Sequence, residues 1–354
     1  MTLSVIVMQL MARRISRLSV ATVGRSGWRR SVPARASRLE DAQAPILWFR
    51  ADDRLGPLMA SPREDAAPRS GSATPLLMTV IGLYLRRIGG RISTADLVAL
   101  AQYAAVSEPL ARTSIARLKK RGVLVPDASN GSAGYRLSVG VERIFERGDR
   151  RIFHVHRMES DDAWCVISFS IPESQRAVRG LLRRRLVSIG AGLISPALWI
   201  CPDHLRCEVE QILTELDVRS HAVLFTTSRP RVAGSLSDAV AHWWDLPRLA
   251  ALHRQFAESA TRILDRVEPA GVPAFRGYVI GIDAWRVVSY LDPGLPYDLL
   301  PPDWPGRRAE MLFATLSALL AEPAWEFVAD TVGIEVDVSR RLTGRIPTSL
   351  SADC

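Results

Sequence analysis

Apolar residues recur at spacings of three and four from Leu76 through Leu77, Val80, Ile81 and Tyr84 to Leu85, the rhythm of a helix with one buried face. Pro75 opens that segment and Gly89-Gly90 closes it, each at the helix end it favours. A short extended Arg91-Ile92 leads to Ser93 or Thr94 as N-cap, with Asp96 just inside a second helix through Leu97, Leu100 and Ala104. Ser107 caps a third helix, with Glu108 and Pro109 in its first turn. Leu110, Ala111, Ile115 and Leu118 form its expected buried side, and Gly122 ends it. Then the period changes. Val123–Val125 reads as a strand, 127–134 as a polar turn and Tyr135–Leu137 as the return strand. Three helices followed by a hairpin is the order of a winged helix-turn-helix, and a further helix over 139–150 leads out of it.

The next stretch alternates. Trp164–Phe169 reads as a buried strand, and Pro172 starts a helix with Val178, Leu181, Leu182 and Leu186 on its apolar face. Short strands follow at Gly192–Ile194 and Leu198–Cys201, then a helix through Leu205, Val209, Ile212 and Leu216, then a strand from His221 to Thr226. That βαββαβ order is the ferredoxin-like arrangement. The remainder reads as mostly helical, over Leu236–Trp244, Pro247–Val267 and Arg307–Leu320, interrupted by a Pro-rich loop from Leu291 to Pro305. The expected fold is therefore α+β in five parts. These are a weakly ordered basic extension (1–74), a winged helix-turn-helix domain (75–150), a ferredoxin-like central domain (151–232), a helical C-terminal domain (233–335) and a tail (336–354).

At 354 residues, 47% hydrophobic and 23% charged, the chain has enough apolar residues for two or three packed domains, which excludes disorder throughout. No run of about 18 uncharged apolar residues is evident, so a polytopic membrane protein is not expected. The net charge is +9, unevenly spread. Residues 1–74 hold 12 basic and 6 acidic side chains, residues 75–158 hold 14 and 6, and residues 159–354 hold 20 and 25. A basic first half joined to a mildly acidic second half points to a nucleic-acid module attached to something else. Four cysteines, Cys165, Cys201, Cys207 and Cys354, are too few for a disulfide framework and fit a reducing cytoplasm. No positive n-region precedes the apolar Met1–Leu10, unlike a secretory signal. Two readings of the extension stay open: a stretch upstream of the true start codon, and an amphipathic targeting or membrane-surface helix over 3–18.

In a winged helix-turn-helix the third helix enters the major groove. Its exposed face here carries Arg112, Thr113, Ala116, Arg117 and Lys120, with Lys119 and Arg121 near its end and Ser107 at its start. Arginine makes a bidentate contact to guanine that lysine matches less well. The hairpin turn offers Asn130 and Ser132, with Arg136 at its base, suited to phosphate or minor-groove contacts. Basic residues also gather at helix C-termini for dipole reasons alone, but the local charge, the element order and the caps converge on double-stranded DNA.

SEPLARTSIARLKKRGVL (107–124) resembles the recognition helix and following strand of the PaaX-type repressors of phenylacetate catabolism. ISFSIPESQRAVRGLLRRRLVSIGAGLISPALWICP (167–202) is similar to their central, Cas2-like domain. AHWWDLPRLAALHRQF (241–256) and YLDPGLPYDLLPPDWPGRRAEMLFATL (290–316) resemble their C-terminal segments. Four pieces in order, spanning about 75–330, are specific. The resemblance implies a cytoplasmic bacterial transcriptional regulator, a repressor in most members. It also implies a homodimer on a DNA operator, with an acyl-CoA effector such as phenylacetyl-CoA. The family also holds regulators that answer other ligands, and a DNA-binding activator without a small ligand is the alternative within this class.

The rival from another class is a Cas2-like metal-dependent nuclease. Such sites want an aspartate at the end of the first strand, and this chain has Ser168-Phe169-Ser170 there, with Glu173 in the next turn. Two-metal chemistry then has no carboxylate pair to stand on. Cys201, His204 and Cys207 form C-x-x-H-x-x-C, one ligand short of a structural zinc site. His154 and His156 read as surface or interface residues on one strand face, and Arg183–Arg185 as the solvated end of an amphipathic helix. Trp243, Trp244 and Trp304 read as packing anchors, although aromatic walls also suit an aryl ligand. No metal and no cofactor is expected, and an enzyme has little to stand on. The residues of an effector pocket are not legible.

Overall fold

The computed structural model describes residues 73–129 and 131–334. The basic extension up to residue 72, with the alternative helix over 3–18, Asn130 and the C-terminal tail fall outside the described residues, while residues 73 and 74 already belong to the first helix. The first helix, α1, spans Ala73–Val80 and widens into a π-helical turn over Ile81–Leu85. β1 (Arg91–Ser93), α2 (Thr94–Tyr103), α3 (Glu108–Lys120), β2 (Leu124–Asp127) and β3 (Gly134–Leu137) follow. β3 lies between β1 and β2 and runs antiparallel to both. At Gly134 an added Cβ would stand 2.5 Å from the Ile92 carbonyl, so only glycine lets β1 and β3 approach this closely.

The capping chemistry fixes these boundaries. Ser93 is the N-cap of α2, its Oγ accepting from the Asp96 N–H at 3.0 Å. Ala105 takes a left-handed φ of 67°, which ends α2 and turns the chain into α3. Leu77, Ile81, Leu97, Leu100, Leu118 and Leu124 close the core of this unit. Leu110, expected inside, is instead 56% exposed. The connecting helix α4 runs over Val139–Phe153.

In the central unit β4 (Trp164–Phe169), α5 (Arg176–Ser188), β5 (Gly192–Ser195), β6 (Leu198–Pro202), α6 (Arg206–Glu215) and β7 (Ala222–Thr227) form an antiparallel sheet ordered β5-β6-β4-β7. This is the order the ferredoxin-like connection requires, since each helix crosses over one intervening strand. Ile167, Phe169 and Trp199 of the sheet pack against Leu182, Leu186, Val209 and Leu213 of the two helices. Pro172 does not start α5. A single 3₁₀ turn over Glu173–Gln175 comes between, and Glu173 is spent on Arg179 at 2.7 Å. His154 follows α4 and His156 lies in extended chain outside any strand, where its ring meets His204 with centroids 4.3 Å apart.

The C-terminal unit is α7 (Leu236–Trp243), α8 (Leu246–Arg266), α9 (Gly271–Leu291) and α10 (Gly306–Val332). Trp244 ties it to the central sheet, its Nε1–H donating to the Gly190 carbonyl at 2.8 Å while the indole fills the space a Gly192 Cβ would need. α10 runs twelve residues past the expected end and through Pro323. Its length and a mean hydropathy of 1.3 over 18 residues would suit a membrane span by composition alone, but Phe313, Leu316, Leu320 and Val328 are buried among the neighbouring helices.

Candidate nucleic-acid interface

α3 divides cleanly. Ala111, Ser114, Ile115 and Leu118 face inward, and Arg112, Thr113, Ala116, Arg117, Lys119 and Lys120 face solvent. Ser107 holds the N-cap position with extended backbone but makes no side-chain cap bond, so its exposed hydroxyl is not committed to the helix end. The fold departs here from the expected cap, and Pro109 in the first turn explains the tolerance: it has no N–H to satisfy.

Two of the exposed side chains are engaged within the helix. The Arg112 Nε–H donates to Glu108 Oε1 at 2.9 Å, and the Thr113 hydroxyl donates to the Pro109 carbonyl at 2.8 Å. An exposed i,i+4 pair of this kind contributes only about 0.3–0.5 kcal/mol, so Arg112 can exchange Glu108 for an acceptor outside the protein at little cost. The Thr113 bond uses the hydroxyl proton and leaves lone pairs and a methyl outward. Arg121 closes the helix; burial, and then the charge of Arg117, lowers its pKa, and it remains a cation at any physiological pH.

The hairpin forms a second cluster. Ser132 accepts from Arg91 through both its carbonyl, at 2.6 Å, and its hydroxyl, at 3.2 Å. Asp127 lies 3.7 Å from Arg91 and 3.8 Å from Arg136, and accepts from the Ser129 N–H at 2.8 Å. The Ser129 hydrogen bonds, hydroxyl before backbone, hold the Asp127 carboxyl below its ordinary pKa, with the two arginines adding to the effect. Arg136 is thus partly neutralised, and Arg91, not singled out in the sequence, is the residue that clamps the turn. Leu110 is the other exposed residue missed. Its spacing to Thr113 and Arg117, three and seven residues, was there to be read and puts all three on one helical stripe.

Nothing in the central unit supplies a metal site. Among the described residues no group of three or more His, Cys, Asp or Glu side chains is placed to hold an ion. Cys201 is buried opposite Cys165 on the neighbouring strand, and partial burial followed by the adjacent His156 depresses the pKa of His204 to about 3. The C-x-x-H-x-x-C spacing is therefore incidental to its strand and helix.

Three family models match the chain in order. They are described as PaaX-like protein (residues 72–141), PaaX protein central Cas2-like domain (157–239) and PaaX-like protein C-terminal domain (244–330). The chain belongs to the PaaX-type repressor family. The transcriptional repressor PaaX of Escherichia coli is 27% identical over 274 residues, 75% of this chain and 85% of that protein. A solved structure, the uncharacterized protein Rv0674 of Mycobacterium tuberculosis, aligns with 71% of this chain and 97% of its own at 20% identity and a TM-score of 0.49. PaaX-type membership accounts for the order of the three units, and the ferredoxin-like sheet is the Cas2-like domain of the family description.

Proposed function

We propose that this PaaX-type chain is a DNA-binding transcriptional repressor whose N-terminal unit is a winged helix-turn-helix, with α3 as recognition helix and the β2–β3 hairpin as wing. The observation that carries the reading is the exposed basic face of α3, on which Arg112, Arg117, Lys119 and Lys120 stand clear of the core. Arg112 and Arg117 read guanine, Leu110 and Thr113 offer apolar contact to thymine methyls, and the two lysines, Arg121, Ser107, Ser132 and Arg136 hold phosphates. The repressor function named for the Escherichia coli relative supports the same reading. The working form is a cytoplasmic homodimer that places two recognition helices about one DNA turn apart on a near-palindromic operator. An acyl-CoA, phenylacetyl-CoA by family resemblance, releases it by binding better to an arrangement that no longer fits the site. The protein acts by binding, without catalysis.

The test is a gel-shift titration on a DNA fragment enriched from random sequence by the wild-type chain. Replacing both Arg112 and Arg117 with alanine weakens specific binding at least about a hundredfold, since each bidentate contact carries about 1–3 kcal/mol of discrimination. Sedimentation of the same variant still shows the wild-type oligomer. Unchanged affinity removes α3 from the interface.

A further inference from the structure

The sheet of the N-terminal unit sets two like charges face to face. Arg91 of β1 and Arg136 of β3 are register partners on neighbouring antiparallel strands, an arrangement that repulsion disfavours. Asp127, the last residue of β2, answers both. Its Oδ1 is 3.7 Å from Arg91 Nε and its Oδ2 is 3.8 Å from Arg136 Nε, one oxygen to each guanidinium. Its own register partner on β3 is Gly134, and the absence of a side chain there is what lets β1 and β2 meet above the middle strand. A Cβ on Gly134 would stand 3.2 Å from Arg91 Nη2, in the space between acid and base.

Asp127 is firmly held. Its side chain is 16% exposed, and it accepts from the Ser129 N–H at 2.8 Å. The Ser129 hydrogen bonds, and after them the two arginines, keep the carboxyl ionised at any physiological pH. The arginines differ from each other. Arg91 is tied down, Nη2 donating to the Ser132 carbonyl at 2.6 Å and hydroxyl at 3.2 Å. Arg136 is 50% exposed, and at 3.8 Å its pairing is a charge contact without a committed hydrogen bond. Its N–H groups therefore stay open to an outside acceptor while the carboxylate fixes their direction. From residue 107 to residue 136 the sequence has six basic residues and two acids, Glu108 and Asp127. Glu108 sits in an exposed pair with Arg112, so Asp127 is the acid of this stretch that the fold holds in place.

We propose that Asp127 determines how selectively the hairpin engages DNA, cancelling one of the two facing cations and holding Arg136 in a single pose that grips phosphate only in the register set by α3. The proposal rests on the reading of the hairpin as a wing, and adds the residue that keeps the wing from binding everywhere. Binding to random sequence is almost wholly electrostatic, so an acid beside the cations weakens it. On the operator the pose is already the one required, and Arg136 needs no reordering to use it. Discrimination then comes from an element that repels in the wrong complex as well as from those that attract in the right one.

The full chain is titrated by gel shift on the enriched fragment and on random duplex of equal length, between about 50 and 200 mM salt. Asp127→Asn keeps an acceptor for the Ser129 N–H and removes the charge. It binds random DNA at least about fivefold tighter, with a slope of log K against log salt steeper by about 0.9 per chain. Affinity for the enriched fragment rises far less, so the preference for it falls at least about threefold. Adding Arg136→Gln to Asp127→Asn abolishes the gain, which a merely structural role of Asp127 would not produce. Should Asp127→Asn lack wild-type circular dichroism, Asp127→Ser takes its place, since serine also offers the turn an oxygen. Unchanged or weaker binding to random DNA, an equal gain on both DNAs, or a gain that survives Arg136→Gln overturns the proposal. Arg136→Gln alone separates it from the reading beneath it. An unchanged salt slope in that variant removes the hairpin from the DNA and the proposal with it. A shallower slope there, with no gain from Asp127→Asn, overturns the proposal and leaves the wing standing.

Discussion

Asp292 sits among the C-terminal helices with its oxygens shared by the His253 Nε2–H at 2.7 Å, Arg157 Nη2 at 3.3 Å and the Gly294 N–H at 2.8 Å. Gly294 has φ 78°, and a Cβ there would stand 2.1 Å from the His156 carbonyl, so the D-P-G of the Pro-rich loop is a clasp that pins the loop to the chain entering the central unit. Burial alone would raise the Asp292 pKa; the His253 hydrogen bond and the Arg157 charge outweigh it and hold the carboxyl well below the ordinary range. A folded pKa below the unfolded value of about 3.9 stabilises the fold above that pH, and the contribution is lost as pH falls through the folded pKa. Asp292→Asn should therefore cost about 1–3 kcal/mol at neutral pH, because it removes the buried carboxylate that His253 and the Gly294 N–H share, while Arg157 keeps Glu310 at 2.5 Å. It should also flatten the loss of stability below about pH 4. Urea titrations from pH 3 to 7 check both, and an acid slope equal to that of the wild type would show that Asp292 is not the titrating group. Single residues are where sequence reading reached least far. Arg185 reads as a solvated helix end because its neighbour Arg184 is one, and only the packing of α5 on α6 shows it turned inward.

Elements were far more legible where one face is wet. α2 and α3 keep a polar side, so their apolar period stands out and their starts follow from Ser93 and Ser107. α9 gives no such signal. It is buried on most sides and interrupted by Gly277 and Gly281, so it shows neither a polar stripe nor a helix-like composition. Those glycines exist for contact: an added Cβ at Gly281 would lie 2.7 Å from Leu316 Cδ1, and Leu316 has no exposed surface into which to move. Gly281→Ala gains about 1 kcal/mol of helix propensity but loses more to overpacking, which costs about 1–3 kcal/mol, for a net destabilisation of about 1 kcal/mol. Gly180→Ala in α5 is the control, since its nearest neighbour would be the flexible Arg184 Nη1 at 3.6 Å. It should stabilise by somewhat under about 1 kcal/mol. Denaturant midpoints of the two variants moving in the same direction would refute the close-packing account of α9.

At the scale of the whole molecule, charge and mechanical linkage point the same way. The +9 is a sum of a basic first half and a mildly acidic remainder of the sequence, and α3 belongs to the basic half, to which a polyanion is drawn. That side is seated on the C-terminal helices by a buried core contact, Tyr84 on Phe275 with ring centroids 5.8 Å apart, ringed by more exposed ones. Arg276 donates to the Tyr103 carbonyl at 2.8 Å, and Arg87 stacks on Trp325 at 4.0 Å while approaching Glu322 at 3.6 Å. The attraction itself is measurable apart from sequence reading. Each phosphate neutralised contributes about 0.9 to the slope of log K against log salt. Lys119→Gln with Lys120→Gln removes two cations per chain, so a dimer engaging all four loses close to four units of slope, and binding weakens alike on specific and random DNA. Titrations between 50 and 200 mM salt, of the order over which such contacts are resolved, decide it. A reduced slope with the preference for the enriched fragment intact assigns the lysines to phosphate and leaves base reading to Arg112 and Arg117. An unchanged slope moves the DNA off the C-terminal end of α3, because no counterions would then be released there.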